Sequence, residues 1–381
     1  MNILLTIHHY LDPDSGAPGT VLKLGQAYEK LGHEVTYYGF DHLPRWAQSR
    51  SPEVVFPEFL AAYLLKQGHR FDVVDTSTGD AWVWGWFLRR SRQRSPVLVT
   101  RSHGLEHTVH QQYLEDVNQG TQAISWKYPL YRGGFRLWEV AQSLRAADLA
   151  FLLNQQDLSY AVETIGVHPE NAYVTHNGIP DHFLNHPLTP SPEEPTSAIK
   201  IAQVGTYIPR KGIQYSIPAL NAVLQRHGQV ELSLLGTDCP VEQVLADFTP
   251  EVQDRIRIVP RFDHGQLPDL LKDHQIKLFT PLAEGFGKVL VEAMALGLAP
   301  VTTATAGPLE VVQPDYDALV VPIRDTPAIE QALERLIGDR PYLNTLRRRA
   351  QATAQRFGWS YLAQQRLNLY HHAIKTRSCT R

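Results

Sequence analysis

Cysteine is almost absent: Cys239 and Cys379 are the only two in 381 residues. They are too few and too isolated for a disulfide framework or a thiolate zinc site, which agrees with a reducing, cytoplasmic setting. Long apolar runs are also missing. No stretch approaches the roughly 20 residues that span a bilayer, so membrane association, if any, is peripheral, at the inner face. The opening Met1-Asn-Ile-Leu-Leu run is too short for a signal h-region and lacks a basic n-region, so no secretory signal is expected. Charge of one sign is lacking too. With 36 Lys and Arg against 39 Asp and Glu, the formal charge is −3, which gives no global footprint for nucleic acid.

What is present is 43% hydrophobic residues, enough for two cores, in a chain longer than one core usually supports. Strand and helix signals alternate: Ile3 to Ile7, a helix over Thr20 to Leu31, Val35 to Tyr38, Phe71 to Asp75, and Val97 to Arg101. A second series runs through Ile199 to Val204, Val230 to Leu235, Ile256 to Val259, Ile276 to Phe279 and Ala299 to Thr302. This is the βαβ rhythm of parallel sheets covered by helices, an α/β fold of two Rossmann-like halves. The proline-rich segment 185–197 reads as a semi-rigid linker between a domain at 1–184 and another at 198–358. Trp359 to Ile374 has helical periodicity.

The segment Pro281-Leu-Ala-Glu-Gly-Phe-Gly-Lys-Val-Leu-Val-Glu-Ala-Met-Ala-Leu-Gly297 joins a buried strand to a helix that begins near Gly287. A diphosphate fits such a place. The first turn of a helix offers unpaired N–H groups and the positive end of the macrodipole, here following Gly285, Phe286 and Gly287 and including the turn at Val289 and Leu290. Glu284 stands on the loop and Glu292 about one and a half turns into the helix, at roughly 3.6 residues per turn. One carboxylate can face a sugar and the other a ribose.

This Glu-x7-Glu spacing, with Glu-Gly-Phe-Gly and the Glu292-Ala-Met-Ala-Leu-Gly297 run, resembles the retaining GT-B glycosyltransferases of the family-4 type. Leu31-Gly-His-Glu-Val35, Val174-Thr-His-Asn-Gly-Ile179, Val204-Gly205, Lys211-Gly212 and Leu235-Gly236 fall in the family's order. The resemblance implies two Rossmann-like domains facing each other across a cleft, with a C-terminal helix at 359–375 packing back on the N-terminal, acceptor domain. It implies transfer of a sugar from a nucleoside-diphosphate sugar, UDP or GDP type, to a hydroxyl of a glycan, glycolipid or small molecule. No metal and no cofactor are expected. The partners implied are the nucleotide sugar and an acceptor carbohydrate or lipid-linked glycan, with peripheral membrane contact and no nucleic acid. Neither glutamate need be a covalent nucleophile, because the departing phosphate is thought to help deprotonate the acceptor.

By the same resemblance His103 is the active-site histidine, Lys211 the phosphate lysine, and Gly16, after Ser15 in place of a second glycine, the phosphate-approaching glycine of the first loop. The family often has arginine where Thr206 stands, and Arg210 is the candidate replacement. Arg261 and Phe262 border the nucleobase. Gly307 and Glu310 resemble a G-x-x-E turn but read as a helix cap, and Glu106 and His107 read as structural. Trp82, Trp84 and Trp86 read as packing or interfacial contact in preference to a sugar lining. Arg347-Arg-Arg349 reads as a solvated helix face. A nucleotide-sugar epimerase and a non-catalytic sugar-nucleotide-binding protein are the alternatives.

Overall fold

A computed structural model describes all residues except 14, 50, 90–94, 119, 121–122, 189–193, 195–196 and 380–381, and the side chains of 378–379. The chain divides into two units, Met1–Gly178 with Trp359–Arg381, and Ile179–Gly358.

The first unit is built on β1 (Asn2–Thr6), β2 (Glu34–Tyr38), β3 (Val73–Ser77), β4 (Val97–Arg101), β5 (Leu149–Leu152) and β6 (Ala172–Val174). They form one parallel sheet in the order β2-β1-β3-β4-β5-β6. Most of its inner strands are buried on both faces, as their unbroken apolar runs require. The Trp359–Cys379 helix covers one face, placing Trp359, Ala363, Leu367 and Tyr370 among Leu24, Tyr28 and Phe151. A polar tie fixes it: Tyr370 Oη donates to Asp75 Oδ2 at 2.5 Å, Asp75 Oδ1 holds Arg101 at 3.0 Å, and the hydroxyls of Tyr28 and Tyr370 are 3.0 Å apart.

The second unit holds β7 (Ile199–Val204), β8 (Val230–Leu235), β9 (Ile256–Val259), β10 (Ile276–Phe279), β11 (Ala299–Thr303) and β12 (Leu319–Val321), parallel in the order β12-β11-β10-β7-β8-β9. The direction of winding reverses between β7 and β10. In the first sheet it reverses between β1 and β3. Open α/β sheets leave a crevice at this reversal, outside the carboxyl ends of the strands.

Two sequence expectations change here. The domain boundary expected at residue 184 falls earlier, because the packing assigns Ile179–Leu184 to the second unit. Ile179 bridges Gly358, and Phe183 is buried with its ring 5.4 Å from that of His264. Of the expected linker at 185–197, residues 189–193, 195 and 196 lie outside the described residues. Arg347 is not on a solvated face. It is buried, and its Nε donates to the carbonyl of Gly297 at 2.6 Å, anchoring the turn that ends the Lys288–Ala295 helix. Burial pushes its guanidinium down to about 10. Arg348 is exposed and Arg349 lies over the Tyr316 ring.

Candidate functional site

At the reversal of the second sheet, the loops after β7 and β10 are pinned together by backbone. Leu282 N donates to Arg210 O at 2.9 Å, and Thr280 Oγ1 donates to Lys211 O at 3.4 Å. Gly212, at φ +74°, lies so close that a Cβ there would stand 1.9 Å from the carbonyl oxygen of Thr280. Glycine is therefore required twice over, by conformation and by contact. The loops bring Lys211 Nζ to 2.7 Å from Glu284 Oε2, with both side chains about one-fifth exposed at 20% and 21%. Sequence reasoning placed these two residues in one site but did not foresee that they pair.

The Lys288–Ala295 helix starts beside them, with Gly287 at φ +86° as its N-cap and no side chain capping it. That leaves the first-turn amides of Lys288 and Val289 without the intrahelical partners that later residues have. Leu290 N is already bonded to Gly287 O at 2.9 Å. The side chains of Phe286 and Leu290 are buried, Phe286 against Phe357, so at these positions only backbone could meet a ligand. Gly307 is not simply a cap residue. A Cβ on it would stand 2.4 Å from Phe286 N, and its own N–H donates to Glu284 O at 2.9 Å, so it holds the Glu284–Phe286 loop from behind.

Glu292 is fully buried. Its Oε1 lies 2.8 Å from His264 Nε2 and 3.9 Å from Lys288 Nζ, while Oε2 is buried with no hydrogen-bond partner. His264 and Lys288 were not singled out from sequence. Lys288 carried the i,i+4 signal toward Glu292, whereas nothing local marked His264. Arg210 is exposed, and Arg261 is 85% exposed, paired with Asp238 at 2.7 Å. Phe262 packs beneath Gly236, where a Cβ would meet its ring at 3.0 Å. Cys239 is a free, half-buried thiol packed against the core of this unit. A polar depression of about 600 Å³ lies elsewhere on this unit, between Lys200, Ser233, Arg257 and His274, and shares no residue with these loops.

In the first unit, Gly16 opens the Gly16–Lys30 helix, and a Cβ on it would meet nothing within 4 Å. The glycine with a packing duty is Gly19, whose Cβ would stand 2.4 Å from Pro13 O. His103 follows β4, with Nε2 3.3 Å from Ser77 Oγ. Burial, then Arg101 and His8, hold its imidazole well below the ordinary histidine range, so it is neutral at pH 7. Ser77 gives its single proton to Thr6 O at 3.2 Å, which makes Nε2 of His103 the donor to Ser77 and leaves Nδ1 as acceptor.

Beside His103 stands a network that the sequence did not reveal. His8 Nδ1 is 2.7 Å from Asp80 Oδ1, and Arg136 Nη2 reaches His8 Nε2 at 3.3 Å and donates to Thr78 O at 2.7 Å. Glu106, read as structural, accepts from Thr78 Oγ1 at 2.7 Å and from Arg136 at 3.5 Å. Burial works against the Arg136 charge, and Glu106, Asp80 and Glu139 outweigh it. Glu139 is pushed up to about 7, by burial first, despite Arg136 and the Trp82 indole N–H at 3.0 Å. His107 is held down to about 4 by burial. The three tryptophans separate: Trp84 is buried in the core, Trp82 stacks edge-on with Trp138, Phe135 and Phe87, and Trp86 is 53% exposed.

Among the described residues no three His, Cys, Asp or Glu side chains are grouped as metal ligands, and no helix is long and apolar enough to cross a membrane.

Two six-stranded parallel sheets with polar loops gathered where each winding reverses define the GT-B class. Residues 188–355 match the family described as Glycosyl transferases group 1, and residues 15–183 match Glycosyltransferase Family 4. It is 23% identical to a subunit of the phosphatidylinositol N-acetylglucosaminyltransferase of Arabidopsis thaliana, over 98% of this chain and 83% of the relative. It is 29% identical to MMP alpha-(1->4)-mannosyltransferase of Mycolicibacterium hassiacum, over 70% of this chain and 65% of that protein. Among solved structures it resembles sucrose-phosphate synthase from Thermosynechococcus elongatus, with a TM-score of 0.76, 21% identity, and coverage of 98% of this chain and 99% of that one. Anabaena HepE in complex with UDP matches with a TM-score of 0.70 and 19% identity, over 98% of this chain and 100% of that chain.

Proposed function

We propose that this protein is a retaining, metal-independent glycosyltransferase that moves a hexosyl group from a UDP- or GDP-sugar to an acceptor hydroxyl. The observation that carries the reading is the Lys211–Glu284 pair at the sheet reversal, 2.7 Å apart, beside an uncapped helix start. The diphosphate lies on the Lys288 and Val289 amides and takes Lys211 as its cation. Negative charge grows on the leaving phosphate as the glycosidic bond breaks, so a lysine aimed there stabilises the transition state more than the ground state. Glu284, released from Lys211, orients sugar hydroxyls, and Glu292 holds the ribose. Arg210 flanks the phosphates from the exposed loop, while Arg261 and the backbone at Phe262 border the base. The donor type is supported by the UDP bound to Anabaena HepE.

The acceptor belongs at the polar loops of the first unit, where His8, Asp80, Arg136 and Glu106 offer donors and acceptors to hydroxyls, with His103 as the catalytic histidine. The acceptor is carried on a lipid surface. Trp86, Phe87, Trp126, Leu130, Phe135 and Trp138 are exposed together with Lys127 and Arg132, a composition suited to a headgroup interface. The relative from Arabidopsis is named for a phosphatidylinositol acceptor.

A panel of UDP- and GDP-sugars with membrane extract as acceptor tests this. Release of nucleoside diphosphate is expected, and the product's anomeric configuration, read by NMR, should match the donor's. Inversion would refute retention, donor isomerisation without transfer would make the protein an epimerase, and binding without turnover would remove catalysis.

A further inference from the structure

Strand β10 carries a lysine where a buried parallel strand usually carries an apolar side chain. Lys277 is 0% exposed, and no hydrogen-bond partner meets its Nζ. Strand register places it between Ala202 of β7 and Pro300 of β11, neither of which offers a side-chain acceptor. Its Nζ stands 5.7 Å from the centre of the Phe279 ring, and Lys211 Nζ stands 5.6 Å from the same ring. That ring underlies the turn at Gly287, where a Cβ would meet it at 3.2 Å. The charges acting on Lys277 are those of the donor site: Lys211, against its ammonium, and Glu292, in its favour. Glu292 in turn keeps one buried oxygen, Oε2, without a partner.

An ammonium buried without hydrogen bonds is strongly disfavoured relative to the neutral amine. Burial and Lys211 hold Lys277 well below the ordinary lysine range, and Glu292 only partly opposes them. A diphosphate arriving at the Gly287 turn changes this balance, because its negative charge outweighs that of Lys211 and enters a region of low dielectric.

We propose that Lys277 is a further, ligand-summoned cation of the donor site: neutral when the site is empty, it takes one proton from solvent as a nucleoside diphosphate binds. The Nζ lone pair accepts the proton, the buffer acid loses it, and the proton returns to solvent when the nucleotide leaves. No bond to the ligand forms or breaks. An uncharged amine spares the empty site one more permanent cation beneath Lys211. This proposal rests on the donor reading given above and makes Lys277 a positioning residue for charge.

Isothermal titration of the full chain with UDP, and separately GDP, tests it at about pH 8, above the histidine range. Runs in buffers of differing ionisation enthalpy give the protons taken up per ligand. The other ionisable groups of this site are Arg210, Lys211, Glu284, Glu292, His264 and Lys288, and all remain in the variants. Wild type is expected to take up about one proton per nucleotide. Lys277→Met, which fills a similar volume without charge, should take up none and bind about tenfold more weakly or worse. Lys277→Arg, charged throughout, should bind without uptake, which keeps the test open where the methionine variant misfolds. Binding by wild type without proton uptake, or equal uptake by wild type and either variant, would overturn the proposal and leave the donor reading standing. Binding of neither nucleotide by wild type would overturn both.

Discussion

Removing the ammonium of Lys211 takes from the departing phosphate the cation aimed at it and leaves only the flanking Arg210, the buried Lys277 and backbone amides. Lys211→Ala is therefore expected to lower kcat by about tenfold or more in steady-state assays. The two glutamates should separate. Glu284→Gln weakens a contact that gains strength as charge develops on the sugar, so kcat falls. Glu292→Gln alters a ribose contact made equally before and during reaction, so the donor KM rises by the equivalent of about 1–3 kcal/mol. A reversed pattern would reverse the roles. His274, away from these loops, is held down to about 4 by burial, with Nε2 2.9 Å from Ser233 Oγ. Between its ordinary value of 6.5 and about 4 the unfolded chain binds a proton that the folded chain refuses, so stability is lost as pH falls through that window. Its share is on the order of 3 kcal/mol when complete, and urea midpoints of His274→Gln should depend less on pH there than those of wild type. Glu284, Glu292, Lys211 and His103 could be singled out as candidates because each sits in a spaced pattern. Lys277, His264 and Arg136 were not, since each gains its meaning from a partner on another element.

Among elements, nine of the twelve strands in the described residues were readable, including the four-residue Ile256–Val259 and Ile276–Phe279. Leu149–Leu152, Ala172–Val174 and Leu319–Val321, of three or four residues each, were not, and each pairs along an edge that a neighbouring strand offers. The arginine run at 347–349 misled because charge suggests solvent, whereas the phase of the Arg340–Ala354 helix turns its first member onto Gly297. Gly307→Ala would drive a methyl group to 2.4 Å from Phe286 N. The Glu284–Phe286 loop must shift, and activity should fall by about tenfold or more while far-UV circular dichroism stays unchanged. Full activity in that variant would show that the loop position is not critical. Tyr370→Phe strands Asp75 Oδ2, and about 1–3 kcal/mol should be lost in thermal or urea unfolding.

For the whole molecule, the fold class and two-part division could be read from alternating periodicity, and the family likeness from motifs spread along the chain. Activity is expected to survive EDTA, because Lys211 and helix amides carry the leaving-group charge; loss restored by Mg²⁺ or Mn²⁺ would overturn that assignment. Co-sedimentation with anionic vesicles should fall when Phe87 and Trp138 are both changed to serine, and unchanged binding would remove the aromatic surface from the lipid interface. One arrangement has a consequence in time. The unit at Ile179–Gly358 interrupts the other, whose final helix, Trp359–Cys379, is made after it. During synthesis the growing chain thus completes its later half first. The earlier half waits with Leu24, Tyr28 and Phe151 uncovered until Leu367 and Tyr370 emerge. Protease applied to stalled nascent chains should find the later half resistant while the earlier half is still cut, which makes the earlier half the natural client of chaperones at the ribosome.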